Sequence, residues 1–450
     1  MLEFLELSQV GPAERLEVAF SPRLNLFTGD NGLGKSFLLD VAWWALTRKW
    51  PAELNPRLAT GLRARPTAGR SEGASIAFRF TGKTAPLEYR SEYDRADQAW
   101  TGRPGRPAIP GLVLYALVDG GFALWDPARN YWRQKGDLDV QDRPAAYVFS
   151  PREVWDGLET EQGAVCNGLI RDWATWQKEK GEAFEELRNV LHSLSPSENE
   201  RLEPGELTRV SLDDVRDMPT VRMPYGQDIP IVHASAGIRR IVALAYLLVW
   251  SWQEHVRASR LLQQETARQV IFIVDEIEAH LHPRWQRSIL RSLMGTVEAL
   301  TGRSSMDVQI LAATHSPLVL ASVETLFDAE KDAWFDIDLV PGAGSATVAI
   351  ERKPWVRRGD VGSWLTSEAF DLKSPRSIEA EEVLETAVRA LSDGSFDAGK
   401  ARDLDAALRA VLGDTDPFWS RWRYVAEKRG WISPGSGGPP ESPQRGGRVE

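Results

Sequence analysis

Gly29-Asp30-Asn31-Gly32-Leu33-Gly34-Lys35-Ser36 is the stretch on which the fold turns, because it fits the pattern G-x-x-x-x-G-K-[ST] without a mismatch. Apolar Leu24, Leu26 and Phe27 precede it, and a helix-like run from Phe37 to Leu46 follows. A strand, a glycine-rich turn and a helix are the setting in which backbone N–H groups close around phosphate oxygens. Lys35 would then reach the β- and γ-phosphates, and the Ser36 hydroxyl would sit on Mg²⁺ at the helix N-terminus. The expectation is an α/β P-loop fold in which residues 29–36 bind a nucleoside triphosphate.

Further along, Ile271-Phe272-Ile273-Val274 runs into Asp275-Glu276, a buried strand that delivers two carboxylates at its C-terminal end. Asp275 is expected to hold Mg²⁺ through water, and Glu276 to polarise the water that attacks the γ-phosphate. Between these two motifs, Ser235-Ala236-Gly237-Ile238-Arg239-Arg240 opens a long apolar helix carrying Ala243, Leu244, Leu247 and Leu248. Read alone, Ser-Ala-Gly is an N-cap followed by a tight turn. In its place between the motifs, it resembles the signature of ABC-type ATPases. That resemblance implies that Ser235 and Gly237 bind the γ-phosphate of a nucleotide held mainly by another subunit.

The remaining segments keep the order that the resemblance requires. Ile277-Glu278-Ala279-His280-Leu281-His282-Pro283 looks like the D-loop, and Leu311-Ala312-Ala313-Thr314-His315-Ser316-Pro317 puts His315 where the switch histidine touches the γ-phosphate. Ser235 to Asp275 spans 40 residues, longer than is usual in transporter ATPase subunits. The stretches 275–283 and 314–317 look instead like RecF-like and OLD-like "AAA family" ATPases, many of which serve DNA repair or phage defence. Residues 149–157 (Phe-Ser-Pro-Arg-Glu-Val-Trp-Asp-Gly) and 364–370 (Trp-Leu-Thr-Ser-Glu-Ala-Phe) resemble Septu-type PtuA ATPases of that group. One departure stands out: Ser150 follows the strand 145–149 where a Q-loop glutamine is expected, and Gln141 lies before that strand.

The first 352 residues are expected to form the ABC-type head, interrupted by a helical insertion and loop at about 160–228. Residues 353–432 form a helical C-terminal region and 433–450 a Gly/Pro/Ser-rich disordered tail. Inside the insertion, Leu169, Ile170, Trp173, Trp176, Phe184, Leu187, Leu191 and Leu194 share a helical face, which suggests a hairpin broken near Gly181. Residues 195–227 read as a polar loop. Residues 334–339 and 346–350 read as a hairpin, with Phe335, Ile337 and Leu339 inward and Asp336 and Asp338 outward. That alternation argues against a Toprim nuclease using Asp336 and Asp338.

Net charge of −10 argues against coating nucleic acid by a general field, although Arg63, Arg65 and Arg70, Arg103 and Arg106, and Lys353, Arg357 and Arg358 form local basic clusters. The apolar run Ile241–Trp250 is shorter than the ~18–20 residues of a membrane helix, and no signal peptide is read, so a cytoplasmic chain without membrane contact is expected. One cysteine, Cys166, excludes an internal disulfide framework. His280 and His282 beside Asp275 and Glu276 could suggest zinc, but the D-loop accounts for the same residues.

These readings converge on an ATPase using ATP and Mg²⁺. Its homodimer would hold two composite sites, each with Lys35, Ser36, Asp275, Glu276 and His315 from one chain and Ser235 and Gly237 from the other. No long coiled coil or nuclease is recognisable, so a separate nuclease or toxin effector is the expected partner, with weak DNA binding through a local patch. A DNA-repair ATPase and a transporter motor subunit are the alternatives.

Overall fold

The computed structural model describes residues 1–67, 73–81, 86–102, 110–130, 144–161, 163–301, 306–341 and 346–433, apart from the side chains at 298, 299 and 301. Arg70, Arg103, Arg106, Gln141 and the tail from 434 onward lie outside the described residues. Two compact units are present, Met1–Trp364 and a unit from Leu365 onward.

The first unit is organised by a mixed eight-stranded sheet. Its strands lie in the order Thr347–Lys353, Asp332–Val340, Leu24–Gly29, Asp307–Ala313, Gln269–Val274, Leu112–Ala116, Phe122–Trp125 and Tyr147–Phe149. The five from Asp332–Val340 to Leu112–Ala116 run parallel, and the outer strands pair antiparallel. Val270 to Val274 are all buried, the mark of a parallel strand covered on both faces. Because Asp307–Ala313 lies between Leu24–Gly29 and Gln269–Val274, the chain segments that follow these three strands emerge side by side.

A second, antiparallel sheet holds Ala13–Ala19, Leu2–Val10, Ser75–Phe80, Leu87–Asp94 and Ala99–Trp100. The helix Lys35–Thr47 packs within the core formed by both sheets and is buried almost all round, through Leu38, Leu39, Val41, Ala42, Trp43, Trp44, Ala45 and Leu46. That is why its sequence is apolar throughout rather than striped.

The insertion contains the expected hairpin, Leu169–Glu179 and Glu182–Ser193, with Trp173 and Trp176 buried as helix core. The stretch read as a polar loop instead carries two strands, Glu203–Pro204 and Thr220–Arg222, which form a three-stranded sheet with Asp228–Pro230 just after it. These strands are too short to show alternation.

The 334–353 region is an antiparallel hairpin, but its facing differs from expectation. Asp336 is 4% exposed and accepts the Thr28 hydroxyl at 2.8 Å, while Leu339 is 50% exposed. Through Ile337 the strand lies beside the P-loop strand inside the sheet, so both its faces are covered; past that point it leaves the core. The first unit runs to Trp364, beyond the boundary expected at 352, because Trp355 and Trp364 pack with Trp334, and Phe327 stacks on Trp355. The second unit is a three-helix cluster, Ile378–Ser392, Ala398–Val411 and Phe418–Lys428, around Leu384, Ala387, Leu408 and Trp422.

Candidate functional site

The P-loop takes its shape from glycines held in backbone conformations that other residues rarely adopt. Gly29 (φ +127°) pairs with Ile337 of the neighbouring strand, and a Cβ there would lie 2.0 Å from the Ile337 carbonyl oxygen. Gly34 (φ +103°) sits at the start of the helix Lys35–Thr47, turning the chain into it. Asp30, Asn31 and Gly32 are exposed at the loop tip, whereas Leu33 is buried and anchors it. The Lys35 ammonium donates to the carbonyls of Gly29 and Asp30 at 2.7 and 2.8 Å, which holds it across the loop.

Opposite the loop, the Gln269–Val274 strand ends in Asp275, whose backbone N–H donates to the Ala116 carbonyl at 3.0 Å. Asp275 is buried, and the Ser36 side chain lies close enough to its carboxyl to favour the charged form. The next residue, Glu276, has φ +45°, a left-handed conformation that costs a non-glycine residue about 1 kcal/mol. Such strain survives only where the surroundings fix it. His280 in the D-loop has φ +63° as well.

His315 is half-buried after the central strand Asp307–Ala313. Its backbone N–H donates to Glu278 Oε1 at 2.5 Å, and the Thr314 hydroxyl donates to Glu278 Oε2 at 2.7 Å. A second tie joins the same segments, the Ser316 hydroxyl donating to Gln286 Oε1 at 2.7 Å. Glu278 is the residue that sequence reasoning missed. Its signal was a third carboxylate two positions beyond Glu276, but only the fold shows that it caps the His315 segment.

Ser235 is exposed and caps the helix Ala236–Leu261, its hydroxyl accepting the Ile238 N–H at 3.4 Å. Gly237 is buried, and a Cβ there would come 2.6 Å from the His280 carbonyl oxygen. The glycine therefore has an intrachain reason, close approach to the D-loop. Among the described residues no hydrogen bond joins Ser235 or Gly237 to the P-loop. The structure thus brings Lys35, Ser36, Asp275, Glu276 and His315 together and leaves Ser235 facing outward.

The Q-loop residue, left open by the sequence, is not supplied by the position after residues 147–149. The strand Tyr147–Phe149 lies at the sheet edge, two strands beyond the neighbour of Gln269–Val274. Ser150 is the N-cap of the helix Pro151–Asp156, in a capping box with Glu153. The place beside Asp275 belongs to the end of Leu112–Ala116 and the segment Leu117–Asp119 that follows it.

The family model described as "AAA domain, putative AbiEii toxin, Type IV TA system" matches residues 24–321, well over half of the chain. The chain belongs to this AAA family. A retron Vc95 probable ATPase from Vibrio cholerae serotype O1 biovar El Tor is 28% identical over 126 residues, covering 26% of this chain and 22% of that protein. A retron Ec83 probable ATPase from Escherichia coli is 25% identical over 162 residues, covering 36% of this chain and 26% of that protein. The matched segments thus span about a quarter of the length of these curated relatives. The SMC head domain from Thermotoga maritima is 15% identical with a TM-score of 0.38, covering 79% of this chain and 99% of that one.

The electrostatics of the AAA domain suit a polyphosphate and a hard cation. Burial pulls the Lys35 pKa below its ordinary value, opposed by the charges of Asp275, Asp30, Glu276 and Glu278. Burial, followed by the nearby Lys35 charge, also lowers the His315 pKa, so the ring is neutral at pH 7. The Asp275 pKa is pushed up to about 6 by burial and by the charge of Glu276, against the effect of the nearby Ser36 side chain. Its Oδ1 is buried with no hydrogen-bond partner among the described residues. An orphaned carboxylate oxygen beside a serine hydroxyl is a donor set that fits Mg²⁺, which keeps few protein ligands and takes the rest from phosphate and water. Among the described residues no group of three or more His, Cys, Asp or Glu side chains is arranged to hold a metal by itself. Nor, among them, is any helix long and apolar enough to cross a membrane.

Proposed function

We propose that this chain binds and hydrolyses ATP through composite sites in a homodimer, and that the engagement cycle controls a separate effector. The observation that carries the reading is the unequal finish of the site. Lys35, Ser36, Asp275, Glu276 and His315 converge within one chain, while Ser235 caps its helix outward. In this reading the loop amides and Lys35 neutralise the β- and γ-phosphates, and neutral His315 reaches the γ-phosphate. The Glu276 carboxylate orients the attacking water and receives its proton. Mg²⁺, held by Ser36 and Asp275, would supply charge neutralisation across the phosphates. Ser235 and Gly237 would close over the partner's nucleotide with the helix N-terminus.

The effector part rests on the resemblance to Septu-type ATPases and on matches to retron ATPases and a toxin-related family. A DNA-directed role draws less support. Of the basic clusters, Arg63 pairs with Glu53, and Lys353 with Glu351 at 2.6 Å. Sedimentation of Glu276→Gln with ATP tests the reading. Dimer that forms with ATP and is absent with ADP is expected; monomer under both conditions contradicts it.

A further inference from the structure

Arg240 lies five residues after Ser235, in the second turn of the helix Ala236–Leu261. Its guanidinium donates from Nη1 to the Val118 carbonyl at 3.1 Å, and from Nη2 to the Asp275 carbonyl at 3.1 Å and the Glu276 carbonyl at 3.4 Å. No carboxylate is bonded to it among the described residues, although Asp275, Glu276, Glu278 and Asp119 all exert their charge on it. Arginine keeps its charge at any working pH, and its fork can hold several acceptors in one plane. Here the fork spans the two residues that follow the Gln269–Val274 strand and the segment that follows the neighbouring Leu112–Ala116 strand.

Its acceptors explain its importance. Glu276 is the residue held at φ +45°, and an Arg240 bond to its own carbonyl oxygen pins that backbone. Close by, Gly237 presses on the His280 carbonyl oxygen, so the start of the helix meets the D-loop as well. The D-loop in turn holds His315 through Glu278. The outward end of one helix is thereby joined by short contacts to the backbone of Glu276 and, through residues 278 and 280, to the backbone of His315 in its own chain.

We infer that Arg240 is a positioning residue that couples the Ser235 end of its helix to Glu276, so that closing over a partner's nucleotide aligns the water-activating carboxylate of the same chain. The inference rests on the composite-site reading and adds its regulation: occupation of one site prepares the other. Arg240 directs its guanidinium to the backbone carbonyls of Val118, Asp275 and Glu276 rather than to the P-loop. Its loss should therefore leave ATP affinity in place and slow the chemical step.

The test uses the full chain, after wild-type turnover abolished by Glu276→Gln has secured hydrolysis at this site independently. Arg240→Ala should keep ATP affinity within about threefold and lower kcat by about 10- to 100-fold, the scale of a small misplacement at a reacting centre. Arg240 also lines a pocket of about 280 Å³ shared with Asp119, Phe122, Leu244 and Leu281, which gives a small cation a way in. Added guanidinium should raise kcat of Arg240→Ala several-fold without changing KM, and ammonium should not. A kcat within twofold of wild type, or a lost kcat that guanidinium does not raise, overturns the inference. Should Arg240→Ala fail to fold, Arg240→Lys serves: it keeps the charge but cannot span three carbonyls. A reduced kcat at unchanged ATP affinity supports the inference, and wild-type kcat contradicts it.

Discussion

The P-loop side of the site is fastened into its own chain behind an exposed loop tip, whereas the signature-like helix presents Ser235 to solvent. Lys35 is held by Gly29 and Asp30, and the His315 segment by Glu278 and Gln286. Ser235 and Ala236, by contrast, are exposed, and the Ser235 hydroxyl does no more than cap its helix. The difference separates two kinds of demand. Groups that act on phosphate must be preorganised, which needs buried polar atoms with fixed partners. A group that has to meet another molecule must stay accessible.

The comparison breaks first at Lys35. If the P-loop half alone supplies phosphate affinity, Lys35→Ala should abolish both ATP binding and turnover, a loss of at least about 100-fold, measurable by equilibrium binding and phosphate release. Retained affinity would move phosphate recognition elsewhere. A smaller effect is expected at Glu278, which reaches the reaction only by holding His315. Glu278→Ala should lower kcat by about 10-fold with ATP affinity kept, and Glu278→Gln, which retains one carbonyl acceptor, should recover part of it. Unchanged kcat in Glu278→Ala would show that the His315 backbone needs no such support.

The smallest effect concerns stability on the fastened side. Asp40, on the P-loop helix, accepts the Tyr115 hydroxyl at 2.9 Å, and burial pushes its pKa from 3.8 to about 7. The folded state then holds a proton that the unfolded chain has released between about pH 4 and 7, so stability contributed by protonated Asp40 falls as pH rises through that window. A shift from 3.8 to about 7 bounds the effect at about 4 kcal/mol, and relaxation of the site will reduce it. Asp40→Asn should raise Tm at pH 8 by a few degrees, with the gain shrinking toward pH 5. A gain independent of pH, or a loss at pH 8, would show that Asp40 is not held protonated.

What could be read from the sequence follows the same division. The P-loop, the Asp275-Glu276 strand end and the His315 segment each announce themselves locally, because glycine placement and an apolar run ending in acid are local necessities. Relations across the sheet do not. The role of Glu278, the burial of Asp336 against Thr28 and the strand Phe122–Trp125 depend on which strands become neighbours. Period-two reading failed at Asp336 and Leu339 because it assumes one wet face, and the strand beside the P-loop has none until it leaves the core. The strand before Ser150 was likewise legible, but neither its place at the sheet edge nor the helix that Ser150 caps was read, since strand order is absent from local pattern.

The division itself is tested most directly by mixing two inactive proteins. Lys35→Ala leaves a chain with an intact Ser235 end, and Ser235→Arg leaves a chain with an intact P-loop half. If the halves of one site come from different chains, a hybrid dimer regains one complete site, and turnover should recover to at most about a quarter of wild type at equal mixing, because half of the dimers are hybrids with one of two sites restored and that site lacks the coupling from its neighbour. Recovery of turnover on mixing is the predicted result; no recovery despite demonstrated hybrid dimers would contradict the account and mean that each chain completes its site alone.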